Sequence, residues 1–139
     1  MKSYIFIFSF SLFVTGIQLI SADDLTPEEV NGIAESLIKS EMDGVIATNT
    51  TLDREAVQGL EHANEAGGLS GEVLVNQSQL ITEQLHTALN GKMPIIGVGG
   101  IHDVASAKAR MAAGAELIQV YSSFIYQGPA LVKQLVEGL

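Results

Sequence analysis

Amphipathic helical patterns alternate with short, continuously apolar runs, and two of those runs lead straight into a helix through bare glycine backbone or hydroxyls. Together these observations predict an α/β fold with a parallel sheet, and within that class the phosphate-gripping end of a (β/α) barrel. Alternation at this spacing implies right-handed βαβ crossovers, which lay the strands side by side in parallel. The strand-to-helix turns locate function, because in such folds the carboxyl ends of strands carry the ligand-binding groups.

The chain has 139 residues, enough for one domain with a sizeable core but not for two. With 47% hydrophobic and 17% charged residues it has the composition of a folded globular protein. A net charge of -9 with only seven Lys and Arg argues against nucleic acid as a partner, since phosphate backbones select for cations. The absence of cysteine excludes a disulfide scaffold, thiolate metal sites and a Cys nucleophile. His62, His86 and His102 lie far apart, none at metal-ligand spacing, so they read as solvated or structural and no metal is expected.

Residues 1–22 differ from the rest. Lys2 precedes an apolar run from Tyr4 to Ile20, and Ser21-Ala22 then places small residues before Asp23-Asp24. This is the layout of a secretory signal peptide, and the run is also near the lower length limit of a membrane-spanning helix. A buried strand or helix competes with that reading, but the abrupt change in composition argues against it. A segment foreign to the fold is the remaining alternative. The expected organisation is an apolar leader over 1–22 and a partial barrel over 23–139.

From Asp23 onward the elements follow in order. Thr26-Pro27-Glu28-Glu29 is a helix start, with Thr26 as N-cap, Pro27 at N1 and Glu29 completing a capping box. Val30, Ile33, Ala34, Leu37 and Ile38 continue the stripe of a helix with one buried face. Gly44-Val45-Ile46-Ala47 is a short strand whose lack of alternation suits cover on both faces. The connection from Thr48 to about Val75 is long enough to imply a function or disorder. A second helix carries Leu80, Ile81, Leu85, Ala88 and Leu89 and stops at Asn90-Gly91. Pro94 opens a strand over Ile95 to Val98, and Asp103 caps a helix running to about Ala113, with Gly114 as its stop. Leu117 to Tyr121 forms the third strand, and Gly128-Pro129 introduces a last helix carrying Leu131, Val132, Leu135 and Val136.

The three strand ends are Thr48-Asn49-Thr50, Gly99-Gly100 and Tyr121-Ser122. None is a strong acid, base or metal ligand. They offer hydroxyls, a carboxamide and open backbone, groups suited to holding a polar ligand by hydrogen bonds. Gly99 and Gly100 let a ligand approach the main chain, and the following helix adds partial positive charge. Ser122 heads the last helical segment and can donate N–H and hydroxyl to the same anion. Each signal alone is weak, because a Gly-Gly pair after a strand is often only a turn.

Their combination is specific. Ile46 to Arg54, Gly67-Gly68-Leu69-Ser70-Gly71, Pro94 to Ile101, and Ala113 to Ser122 occur in an order and spacing that closely resemble the C-terminal part of a dihydroorotate dehydrogenase. Tyr121-Ser122, with Phe124, Tyr126, Gly128 and Pro129 beyond, looks like the quinone-dependent, membrane-associated class 2. The resemblance runs from about Leu25 to the C-terminus. It implies a (β/α)8 barrel that holds FMN, oxidises dihydroorotate to orotate in pyrimidine biosynthesis and passes electrons to a quinone at the inner membrane. Carried over by motif, Thr48, Gly71, Gly99, Gly100, Tyr121 and Ser122 would contact FMN, with Gly100, Tyr121 and Ser122 around its phosphate. Asn49 and Thr50 would hydrogen-bond the pyrimidine.

The sequence also departs from that family. A barrel of this kind needs about 250 residues and eight strands, whereas three strands are expected here. The resemblance places the catalytic serine base in strands that precede these, so no catalytic residue is assigned. The family's Lys-Ile-Ala-Pro-Asp-like segment is replaced near Ile20-Ser21-Ala22, without its lysine and proline. The expected chain is therefore a C-terminal fragment of the enzyme, inactive alone, with two open strand edges that favour self-association. The competing expectation is a secreted or membrane-anchored barrel fragment acting as a non-catalytic binding or vestigial module.

Overall fold

The computed structural model describes residues 4–6, 16–20 and 25–139. Two short strands come first, β1 (Tyr4–Phe6) and β2 (Ile17–Ile20). There follow α1 (Pro27–Lys39), β3 (Gly44–Ala47), α2 (Val75–Leu89), β4 (Ile95–Gly97), α3 (Val104–Ala112), β5 (Leu117–Gln119), α4 (Ser122–Gln127) and α5 (Pro129–Gly138). The strands form one parallel sheet in the order β1-β5-β4-β3-β2. From β2 to β5 every new strand is added on the same side, through α1, α2 and α3 in turn. Right-handed crossovers repeated without reversal keep the helices on one face of the sheet. This is the wall of a (β/α) barrel and not a doubly wound sheet, in which the direction reverses.

The capping signals form as expected. The Thr26 N–H donates to the Glu29 carboxylate at 2.8 Å, and the Glu29 N–H donates back to Thr26 Oγ1 at 3.3 Å. Asp103 caps α3 by accepting the Ser106 N–H at 2.7 Å. Asn90 ends α2 in the left-handed conformation, with φ 47°.

The core lies between the helices and one face of the sheet. Val30, Ala34 and Leu37 of α1 pack with Ile81, Leu85 and Leu89 of α2 over Ile20, Val45, Ala47 and Ile95. A second cluster joins Ala107 of α3 and Leu131 and Leu135 of α5 to Ile118 and Val120. On the other face, register aligns Leu19, Ile46, Ile96 and Leu117 across four strands. These remain half-buried or exposed, so the strands are not covered on both faces as their continuous apolarity implies. Without alternation, the sequence does not tell a helix-covered face from a barrel interior.

Three further differences stand out. The sheet has five strands where three are expected, because Tyr4–Phe6 pairs with β5 and Ile17–Ile20 with β3. Those two short runs satisfy the edges that an isolated three-strand sheet leaves open. The small-residue cleavage position at Ser21-Ala22 and most of the remaining leader lie outside the described residues. In α2 the buried face is Ser78, Ile81, Thr82, Leu85 and Leu89, while Leu80 is 53% exposed. Two buried hydroxyl side chains stand in the stripe where leucine is expected. The last helical segment is divided at Gly128, whose φ of 66° separates α4 from α5.

Candidate functional site

Because the strands are parallel, β3, β4 and β5 deliver their carboxyl ends to one edge of the sheet. Thr48 follows β3 directly. It is buried, donates its N–H to Val98 O at 2.9 Å, and shares a 2.6 Å hydrogen bond between its hydroxyl and Ser78 Oγ. Its hydroxyl therefore faces inward and locks the strand end onto α2. Asn49 is exposed and donates its N–H to Ile20 O at 2.7 Å, while its Oδ1 accepts from the Thr50 N–H at 2.8 Å. That leaves the Nδ2 end of the carboxamide free of acceptors among the described residues.

Gly99 and Gly100 follow β4 with φ of 95° and 75°, a region that favours glycine. The space a Cβ would take is filled by the protein itself. At Gly99 it would lie 2.6 Å from Ser78 Oγ, and at Gly100 it would lie 2.5 Å from the Val75 nitrogen. The turn is thus pressed against the start of α2, which is a packing reason for glycine beside the ligand-approach reason read from the sequence. Among the described residues the N–H groups of Gly99 and Gly100 donate to no acceptor.

The long connection is an ordered loop. Thr51 and Leu69 exchange backbone hydrogen bonds at 3.1 and 2.8 Å. Arg54 donates to Thr51 O at 3.2 Å and to Gly67 O, tying both limbs together. Gly68 sits against Thr50, and Ser70 Oγ meets Ser122 Oγ at 2.9 Å. That bond carries Gly71, with φ 101° and no atom near its Cβ position, to the end of β5. The structure therefore gathers Thr48, Gly99 and Gly100 around α2, and Gly71 with Ser122 around the loop. Tyr121 precedes α4 and is 65% exposed.

Sequence reasoning missed Arg110. It is 2% exposed on α3, where Ala107 shares the buried face. Its Nη1 donates to Val98 O at 2.8 Å, and its Nη2 to Gly99 O at 3.0 Å and Val75 O at 3.4 Å. Burial lowers its pKa to about 10, which leaves it cationic at neutral pH. A cation at an otherwise apolar helix position was the available signal. Ser78 was missed for the opposite reason, since a lone serine on a helix is ordinary.

These features can hold an anion with hydroxyls, main-chain donors and a buried positive charge close behind. A phosphate monoester fits that donor set. Among the described residues no group of His, Asp or Glu is placed to hold a metal.

The fold and the gathered strand ends define one wall of a (β/α) barrel with open main-chain donors at its carboxyl edge. Comparison with known proteins specifies the family. The family model for dihydroorotate dehydrogenase matches residues 19–139. A dihydroorotate dehydrogenase (quinone) of Vibrio parahaemolyticus is 56% identical over 118 residues, covering 85% of this chain and 35% of the relative. One from Shewanella sp. strain ANA-3 is 57% identical over 122 residues, covering 88% and 36%. The crystal structure of the Eimeria tenella enzyme in complex with ferulenol superposes with a TM-score of 0.82 at 36% identity, covering 88% of this chain and 32% of that one. The chain belongs to the dihydroorotate dehydrogenase family, and it spans about a third of the length of the curated relatives it matches.

Proposed function

We propose that this chain forms the FMN-phosphate and pyrimidine-contacting wall of a quinone-dependent dihydroorotate dehydrogenase, oxidising dihydroorotate to orotate in pyrimidine biosynthesis. The observation that carries the reading is the pair of open N–H groups at Gly99 and Gly100, set at a strand end with Arg110 behind them. Gly99, Gly100 and the backbone of Tyr121 and Ser122 would hold the phosphate of FMN, and Thr48 and Gly71 would contact the rest of the cofactor. Asn49 and Thr50 would hydrogen-bond the pyrimidine. The flavin supplies redox chemistry when bound, and this chain supplies binding and orientation.

Hydroxyls, a carboxamide and backbone at these strand ends are poor proton acceptors at neutral pH. Proton abstraction from dihydroorotate is therefore assigned to a group outside the residues described, and the chain alone is expected not to turn over. A lipid-soluble quinone as acceptor places the working enzyme at a membrane surface. No helix among the described residues is long and apolar enough to cross a membrane. The outer edges of β1 and β2 offer backbone to a second copy and favour self-association.

The test is to express the whole chain, titrate it with FMN, and follow flavin absorbance and fluorescence. Saturable binding that is lost in Gly99→Val supports the reading, provided Gly99→Val still folds by circular dichroism. A folded chain that binds no FMN refutes it. Bound flavin together with oxidation of dihydroorotate by this chain alone overturns the assignment of proton abstraction elsewhere.

A further inference from the structure

The guanidinium of Arg110 is buried, yet no carboxylate pairs with it among the described residues. Its partners are three carbonyl oxygens, and its Nε has no partner. A buried cation left in this state is costly, so such groups are ordinarily paired. The stem reaches its place beneath Gly97 of β4, where any Cβ would collide with Arg110 Cγ. A glycine within a strand has thus made room for the arginine.

The two closer carbonyls belong to particular peptide groups. Val98 O shares its peptide with the Gly99 N–H, and Gly99 O shares its peptide with the Gly100 N–H. Both peptides are trans, since the sole cis bond among the described residues is Ala47-Thr48. In a trans peptide the C=O and N–H point in opposite directions. Val98 O is held inward by Arg110 together with the Thr48 N–H at 2.9 Å, and Gly99 O by Arg110; both N–H groups are thereby turned outward, to the side where neither has an acceptor. Lysine, a point donor, lacks the planar fork that matches two oxygens at once.

We propose that Arg110 is a positioning residue for the phosphate. It orients the Gly99 and Gly100 N–H groups toward a dianionic phosphate monoester and supplies the buried positive charge behind them. This rests on the reading above that the strand ends take the phosphate of FMN. The bound anion in turn compensates a cation that otherwise lacks a counter-charge.

The readout is the ratio of FMN to riboflavin affinity, because the two flavins differ only in the phosphate. It is measured by fluorescence titration on the whole chain and on Arg110→Gln and Arg110→Lys. Arg110→Gln is expected to lower the ratio by about tenfold or more while riboflavin affinity changes by less than about threefold, as loss of a charge-assisted partner requires. Arg110→Lys, which keeps the charge, is expected to hold the ratio within about fivefold of wild type. An unchanged ratio in Arg110→Gln, or equal losses for both flavins, overturns the proposal and leaves the site reading intact. A wild-type chain that binds neither flavin refutes the site reading itself. Should Arg110→Gln fail to fold, the wild-type ratio is compared between low salt and 1 M salt, where the Debye length is about 3 Å. A buried charge keeps that ratio within about threefold, and a fall beyond about tenfold assigns it to exposed cations and overturns the proposal.

Discussion

Substituting Gly100 by alanine tests whether the two-glycine turn is dictated by its packing against α2. Gly100 has φ 75°, and an added Cβ would lie 2.5 Å from the Val75 nitrogen and 2.6 Å from its Cα. Left-handed backbone costs an L-residue roughly 1–2 kcal/mol. Overpacking adds roughly 1–3 kcal/mol, and the atoms met are backbone, which cannot swing aside as a side-chain tip can. The expected loss is therefore about 2–5 kcal/mol. Gly91 is a matched control, with φ 74° and nothing within 4 Å of the same position. Gly91→Ala meets only the conformational cost, about 1–2 kcal/mol. Urea unfolding followed by circular dichroism measures both, with the m-value showing whether the unfolding transition is otherwise unchanged. Equal losses for the two variants would falsify the packing argument and show that the start of α2 yields.

Three other outcomes are expected. Thr48→Val strands Ser78 Oγ by removing the buried 2.6 Å hydroxyl contact, and denaturant unfolding should register a loss of about 1–3 kcal/mol. Asp103→Ala removes the N-cap of α3 and should cost about 1 kcal/mol near neutral pH. The Ser106 side-chain and backbone hydrogen bonds hold the Asp103 carboxyl below its ordinary range. Its contribution is thus present above the unfolded value of about 3.9 and lost as pH falls through the lower folded value, so the gap between wild type and variant should close in acid. A gap that persists under acid would count against the carboxylate cap. Arg54→Ala unties Thr51 from Gly67 and should speed limited proteolysis within residues 55–66 while changing global stability by less than about 1 kcal/mol. An unchanged cleavage rate would show that the Thr51–Leu69 bridge alone closes the loop.

Local signals were the legible ones. Thr26-Pro27-Glu28-Glu29 specifies its helix start because both partners of the capping box lie within one turn. Gly44–Ala47 is bounded as the apolar run implies, and the glycines at 99 and 100 do occupy left-handed backbone. Less legible were the positions whose role depends on distant chain. Leu80 turns outward and Ser78 inward because the faces of α2 are chosen by β3, β4 and the Gly99 turn. Ile17–Ile20 reads as part of a leader because its pairing with Gly44–Ala47 is settled across α1.

The βα alternation, the helix caps, the strand-end chemistry and, through motifs in order, the resemblance to a family are all written in the order of residues. These follow from interactions over a few residues, where spacing along the chain is spacing in space. It takes the folded arrangement to bring Arg110 onto the carbonyls of Val98 and Gly99, and to turn the Thr48 hydroxyl to Ser78. The same arrangement brings Ser70 to Ser122, 52 positions apart. Such contacts arise when parallel strands bring their ends to one edge and crossover helices pack behind them, a juxtaposition that no local spacing encodes.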